Sequence, residues 1–412
     1  MTRRDFVGRV SFGALGLAST YSVLTPWCRS RAATGFGGAA PLVDPDTARV
    51  WLALWQDHIL GEARVRYCDT ETGEELGWLV SPFLNGFYYG YKATGDAQWM
   101  ALLVDWTDAV LKRARKEPDG FPGWPKGDGG GHESSDYSAD SLLGEAMMFR
   151  PVVLAAAEIT KTPALEAKWE SRARSYQEMA GQIFQKWDSR GCWRLIQQGG
   201  LWVVPPFGLD RQTPSQWSSG YQDRLTGGFS NPDNKQNLIA EWLVAMYDVT
   251  GTKAYRDRAE AWWRVMRSRM TTRDNGQYYV WNYWEPGGTW DYDAKGAPRH
   301  WIGVHPNGGY YQLDAQGIVA GFEHGLAFAR SDIDRLIATN RDFMWNQKLE
   351  APKFQRIDGG PADPRWQEQP GLLWTALTPY DATLRKLFLA THKPDSWAGL
   401  SATPWALSTH CA

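Results

Sequence analysis

The sequence predicts an all-α fold, an (α/α) toroid of about six or seven helical hairpins with long loops on one face. Three observations predict it: a short turn that recurs between apolar-periodic stretches, the wide spacing of its copies, and the chemistry gathered between them. The turn appears five times. Tyr91-Lys92-Ala93-Thr94-Gly95-Asp96 leads to Trp99, Glu158-Ile159-Thr160-Lys161-Thr162-Pro163 to Trp169, and Tyr247-Asp248-Val249-Thr250-Gly251-Thr252 to Tyr255. Weaker copies lie at Phe328-Ala329-Arg330-Ser331-Asp332 and Leu389-Ala390-Thr391-His392-Lys393-Pro394. Gly95 and Gly251 stand where a helix C-cap needs positive φ, and Asp96 or Thr252 can cap the helix that follows.

The flanks are helical by pattern. Leu238, Ile239, Trp242, Leu243 and Met246 fall on one stripe before the third turn, and Tyr255, Ala259, Trp262, Trp263 and Met266 on another after it. Successive turns lie 67, 89, 81 and 61 residues apart, more than two helices require, so each repeat carries a second, long connection. An open solenoid has shorter and more uniform repeats, which favours closure. Four long loops are expected: Arg115 to Asp140, Gly191 to Asn237, Thr271 to Asp314 and Glu350 to Tyr380. They concentrate glycine, proline, aromatic and charged residues and so mark the functional face.

The N-terminus reads Thr2-Arg3-Arg4-Asp5-Phe6-Val7, then an apolar stretch from Val10 to Leu24 and Ser30-Arg31-Ala32. This resembles a twin-arginine export signal. Residues 1–32 are expected to be removed, 33–45 to form a linker and 46–412 a single catalytic domain, with the protein periplasmic or secreted. The apolar stretch falls short of the roughly 20 residues a membrane span needs. Across 412 residues the charge is 44 minus 46, or −2; without residues 1–32 it is 39 minus 45, or −6. Nucleic acid is therefore not an expected partner. Cys68, Cys192 and Cys411 are too few and too scattered for a disulfide framework or a metal pair, although one bridge is possible. No cofactor and no metal are expected, and the protein is expected to be a monomer.

The loops hold the candidate chemistry. Ten aromatic residues stand in the 34 positions from Tyr278 to Tyr311, and no helix or strand period fits that segment. Rings interleaved with glycine and charge suit the binding of sugar, and Trp281, Tyr283 and Trp284 are candidate stacking groups. The end of this loop supplies Arg299, His305, Tyr310 and Tyr311, groups suited to removing a proton beside a carboxylate. A uronate C5 hydrogen becomes acidic once its carboxylate is neutralised, and a His or Tyr can then take the proton. In the first loop His132, Glu133 and Tyr137 are substrate-binding candidates, and the glycines beside them lack the context of a phosphate loop. The second loop offers Trp217, Tyr221 and Arg224. It then leads through Asn234 and Asn237 to a helix start whose dipole and amides can hold an anion. The fourth offers Arg356 and Trp374. Each residue also has a structural reading: N-capping for the asparagines, rings packed under the loop for His305 and Tyr310, and pairing with Asp358 or Asp363 for Arg356.

The repeats, the Asn231 to Asn237 helix start, the Arg299/His305/Tyr310 cluster and the run from Asp314 through Trp345 to Asp358 and Trp374 resemble helical-toroid polysaccharide lyases of the alginate and glucuronan lyase kind. The resemblance implies β-elimination of an acidic polysaccharide, with Arg299 and Asn237 or Asn234 on the carboxylate, His305 as base and Tyr310 as acid. Such lyases commonly open this helix with an Asn-His pair. Here Lys235 or Gln236 stands at the His position, so the base comes from elsewhere. The alternative is an inverting glycoside hydrolase on the same toroid, drawing two carboxylates from Glu133, Asp136, Asp223, Glu241 and Glu285. A non-catalytic envelope sugar-binding protein and a sugar epimerase are the other readings.

Overall fold

The computed structural model describes residues 40–126, 137–204, 208–210, 213, 215–218, 228–363 and 372–411. The expected signal segment, His132, Glu133, Asp136, Tyr221, Asp223 and Arg224 lie outside the described residues, as does the side chain of Tyr137. The chain is all-α in class and built of α/α hairpins, as expected.

In chain order the helices are α1 (Pro45–Glu62), α2 (Ser81–Thr94), α3 (Ala97–Leu111), α4 (Leu142–Lys161), α5 (Pro163–Ser189), α6 (Asp233–Thr250), α7 (Lys253–Arg269), α8 (Gly309–Glu323), α9 (Arg330–Ala338), α10 (Ala382–Thr391) and α11 (Gly399–Ser408). The short strands are β1 (Arg115–Lys116), β2 (Pro122–Gly123), β3 (Tyr137–Ser138), β4 (Trp193–Ile196), β5 (Gly199–Trp202), β6 (Gly208–Asp210), β7 (Trp217–Ser218), β8 (Thr271–Arg273) and β9 (Tyr278–Val280). All pair antiparallel, as β1-β2, β3-β6-β7, β4-β5 and β8-β9. Every strand falls in one of the expected long loops. Their hairpins escape a sequence reading because two to four residues are too few to establish an alternation.

The turns form as the sequence requires. Gly95 (φ 71°) and Gly251 (φ 70°) close α2 and α6 in the left-handed region, each donating its N–H to the carbonyl four residues back at 2.7 Å. Asp96 then caps α3 by accepting the Gln98 N–H at 2.9 Å. Two helix starts differ from expectation. α6 begins at Asp233, so Asn234 and Asn237 lie inside it. α8 begins at Gly309, which puts Tyr310 and Tyr311 on a helix rather than in the loop.

Contacts divide the chain into two compact units. One comprises residues 59–269 and 284–302, the other the described residues up to 58 with 270–283 and 303–411. In the first, α4 packs against α2, α5 and α6, and α6 against α7. The α2–α3 hairpin closes on rings: Phe83 lies 4.6 Å from Trp106 and Phe87 6.3 Å from Trp99, all four buried. The expected stripe Leu238, Ile239, Trp242, Leu243, Met246 is buried, as are Trp262, Trp263 and Met266 facing it. In the second unit α8 packs on α9, and the Trp55 indole of α1 donates to the Leu400 carbonyl of α11 at 2.9 Å.

A buried ion cluster fastens the roots of the first loop. The Lys186 ammonium on α5 donates to Asp140 (2.8 Å), to Glu145 (2.5 Å) and to the Pro122 carbonyl (2.9 Å). Arg190 pairs with Glu117 at 2.6 Å, and Asp140 also accepts the Trp124 N–H at 2.7 Å. Burial, then the adjacent Asp140 carboxylate, raise the Glu117 pKa, while Lys186 holds Asp140 low against its own burial.

Candidate active site

The segment His305-Pro306-Asn307-Gly308 turns into α8 through a chain of local hydrogen bonds. Asn307 accepts the Gly309 N–H on Oδ1 at 3.0 Å, which satisfies the first N–H of the helix, and its own N–H donates to His305 Nδ1 at 3.0 Å. The His305 N–H in turn donates to the Tyr311 hydroxyl at 2.7 Å. The chain here must pass close to its neighbour: a Cβ on Gly308 would lie 1.8 Å from Leu372 Cδ2.

These bonds fix the imidazole. With Nδ1 accepting an amide N–H, neutral His305 carries its proton on Nε2. Its ring lies 4.9 Å from Tyr283 and 4.7 Å from Tyr310, and those two phenols are 4.9 Å apart, so three rings contact one another. Tyr310 and Tyr283 keep 7% and 9% of their surface exposed, at the edge between core and solvent. Asn307 is 3% exposed, and its Nδ2 has no hydrogen-bond partner. An amide donor left unpaired inside a protein costs about 1–3 kcal/mol, a cost an acceptor from a ligand would remove. The start of α8 thus combines an unpaired donor, the positive end of a 15-residue helix, an imidazole and two phenols.

Beneath this cluster the expected sugar platforms are core. Trp281 (2% exposed) donates its indole N–H to Asp314 at 2.9 Å and packs on Tyr311 (5.5 Å) and on the fully buried Trp374 (5.7 Å). Arg356 pairs with Asp358, Nε to Oδ1 at 2.9 Å, so its structural reading applies. That hydrogen bond first, with the Tyr311 phenol adding, raises the guanidinium pKa further.

The remaining candidates belong to the other unit. Asn237 is fully buried and its Oδ1 accepts both the Trp262 indole N–H (2.9 Å) and that of Trp263 (3.2 Å). Arg299 donates from Nη1 to the Trp290 carbonyl at 3.2 Å and lies over the Phe229 ring at 5.9 Å. Trp284 is fully buried and donates to the Ser230 carbonyl at 2.8 Å. Trp217 on β7 has the Arg190 guanidinium 5.1 Å from its ring centre. Among the hydrolase carboxylates, Glu241 is fully buried, 3.6 Å from Arg150. At the start of α6 the buried Asp233 pairs with Arg269 through Oδ1, while its Oδ2 has no partner; both polar atoms of Asn234 are likewise unpartnered. Burial pushes the Asp233 carboxyl up to about 7 against the pull of Arg269, and Glu285 adds to the rise. Asn307 and Asp233 were not among the sequence candidates for chemistry. The signal that could have found both is a polar residue at a helix start that follows a loop rich in rings. Among the described residues no group of three or more His, Cys, Asp or Glu side chains could hold a metal ion.

No family model and no curated protein matches the chain. Solved structures do. It is similar to D-mannose isomerase at 15% identity, over 89% of this chain and 87% of that one, with a TM-score of 0.47. It is similar to an inactive α-1,6-mannanase variant of Salegentibacter sp. HEL1_6 in complex with α-1,6-mannotetrose at 10% identity, over 87% and 97%, with a TM-score of 0.46. The same enzyme with α-1,6-mannotriose matches at 12% identity over 86% and 84%, with a TM-score of 0.39.

Proposed function

We propose that this chain is an exported glycan-active enzyme that cleaves a uronate-containing polysaccharide by β-elimination at the start of α8. The supporting observation is the unpartnered, buried Asn307 amide beside the contacting rings of His305, Tyr310 and Tyr283. Asn307 Nδ2 and the N-terminal end of α8 take the substrate carboxylate and spread the charge that develops when C5 loses its proton. This gives Asn307 the role that the resemblance implied for Asn237 or Asn234; the amide oxygen of Asn237 is held by two indoles.

Proton transfer falls to Tyr310. Because His305 Nδ1 accepts from Asn307, the imidazole offers a donor, Nε2–H, rather than a lone pair, and such a donor stabilises a phenolate. The Tyr310 phenolate removes the C5 hydrogen, the C4=C5 double bond forms, the C4–O4 bond breaks, and the phenol returns its proton to the departing O4. No water is consumed. The experiment is to incubate the protein with alginate, glucuronan, ulvan and neutral glucans and to record ultraviolet absorbance alongside reducing ends. Equal growth of both on one uronate polymer supports elimination.

Asp233 favours a second reading. A carboxyl held up to about 7, near a second carboxylate, is the division of labour an inverting glycoside hydrolase needs, with Asp233 as acid and Glu285 as base. Reducing ends without the ultraviolet chromophore would select it.

A further inference from the structure

A second candidate site lies where the first loop meets β6, in the compact unit that does not hold α8. Two cavities of about 460 and 490 Å³ share Arg115 and Pro125 in their walls. The first adds Lys116, Ser138 and Ser215, the second Thr70, Thr72 and Trp124. Each volume suits one or two sugar rings rather than a long ligand. The walls are set by pairing: Arg115 opposes Gly123 and Lys116 opposes Pro122 across β1-β2, and Lys126 bridges to Ala139.

The charge in these walls is unevenly satisfied. Arg113 spends its guanidinium on two carbonyls, those of Cys68 (3.0 Å) and Glu71 (2.7 Å). Arg115 and Lys116 are exposed and form no ion pair among the described residues. Among the described residues of the walls the one carboxylate, Asp210, accepts the Thr213 N–H at 2.6 Å. A concave surface whose described walls set Arg113, Arg115 and Lys116 against one carboxylate, with hydroxyls and a proline face, attracts a small, polar, anionic ligand.

We propose that these cavities form a binding subsite for an acidic sugar residue, whose carboxylate is taken by Arg115 and Lys116. The ligand class rests on the uronate reading above; the site itself does not. The ring would lie on Pro125, with the serine and threonine hydroxyls on its hydroxyl groups.

The test uses the full chain carrying Tyr310→Phe, so that binding is read without turnover, with calorimetric titration of a glucuronate tetrasaccharide, a neutral glucose tetrasaccharide and inorganic sulfate. Arg115→Ala is expected to weaken the glucuronate tetrasaccharide about tenfold, and Arg115→Ala with Lys116→Ala further, because each removes a charge-assisted bond. Arg115→Lys should recover part of the loss, and the neutral sugar should not respond to any of the three. Sulfate bound as tightly as the uronate, and lost with it in Arg115→Ala, would overturn the carboxylate assignment in favour of sulfated glycans. Uronate affinity unchanged in the double variant would overturn the subsite. Arg115-dependent uronate binding in a protein whose unsubstituted form makes no unsaturated ends would keep the subsite and sink the elimination. Elimination with KM and affinity both indifferent to Arg115 would do the reverse.

Discussion

The starts of α6 and α8 look alike in sequence, and their chemistry diverges. Each follows a long loop rich in rings, and each has asparagine at or just before the start of the helix. At α6 the protein uses most of this polarity itself: Asn237 ties down two indoles, Gln236 bonds the Trp202 carbonyl at 2.7 Å, and Lys235 pairs with Glu74 at 2.9 Å. What remains is Asp233, a carboxyl held near neutrality, and Asn234. At α8 the protein uses one atom of Asn307 to hold the first N–H of the helix and leaves the other, among titratable rings. A polar residue at a helix start therefore marks a candidate site only when its own fold has not already consumed its hydrogen-bonding capacity.

Substitutions sharpen that contrast, beginning at α8. Tyr310→Phe should cost about 10²–10⁴ in kcat on the uronate polymer while leaving the thermal transition in place, since proton transfer by a positioned side chain is worth that much. Retained activity would move the chemistry elsewhere. Asn307→Ala should lower kcat about 10²–10³-fold by removing a donor from the developing charge, and Asn307→Asp should be worse because it repels the carboxylate. Equal kcat in the two variants would contradict the neutralising role.

The α6 counterpart should respond in stability instead. Asn237→Leu leaves two buried indole N–H groups unpaired, at roughly 1–3 kcal/mol each, and denaturant midpoints should shift accordingly with kcat little changed. A normal midpoint with lost activity would return Asn237 to the site. The smallest effect is a slope. Because burial raises the Asp233 pKa to about 7 from its ordinary 3.8, the folded protein binds that proton more tightly than the unfolded chain. Its contribution is complete below the ordinary value and is lost as pH rises toward 7. Asp233→Asn should flatten stability against pH across that window. If the hydrolase reading holds, the same variant should also abolish cleavage.

Much of the fold was legible because its signals are local. The stripes on α6 and α7 and the glycines at 95 and 251 need only a few neighbouring residues to be read. The start of α8 was not, since Pro306, Gly308 and Gly309 read as loop and the helix that follows is stabilised by packing rather than propensity. The tryptophans misled for a non-local reason. Trp281 and Trp284 sit in the core because their indoles find Asp314 and the Ser230 carbonyl, partners 33 and 54 residues away. The fate of Asn237 likewise depended on two rings of the next helix. Arg299 belongs to one compact unit and His305 with Tyr310 to the other, a division that no local pattern in the sequence marks.

The most direct test of the central claim is a single time course on glucuronan or alginate that compares ultraviolet absorbance with reducing ends for the unsubstituted protein and Tyr310→Phe. Elimination at α8 predicts one unsaturated end for every new reducing end, and neither in the variant. Reducing ends that accumulate without absorbance, and persist in Tyr310→Phe, would contradict it.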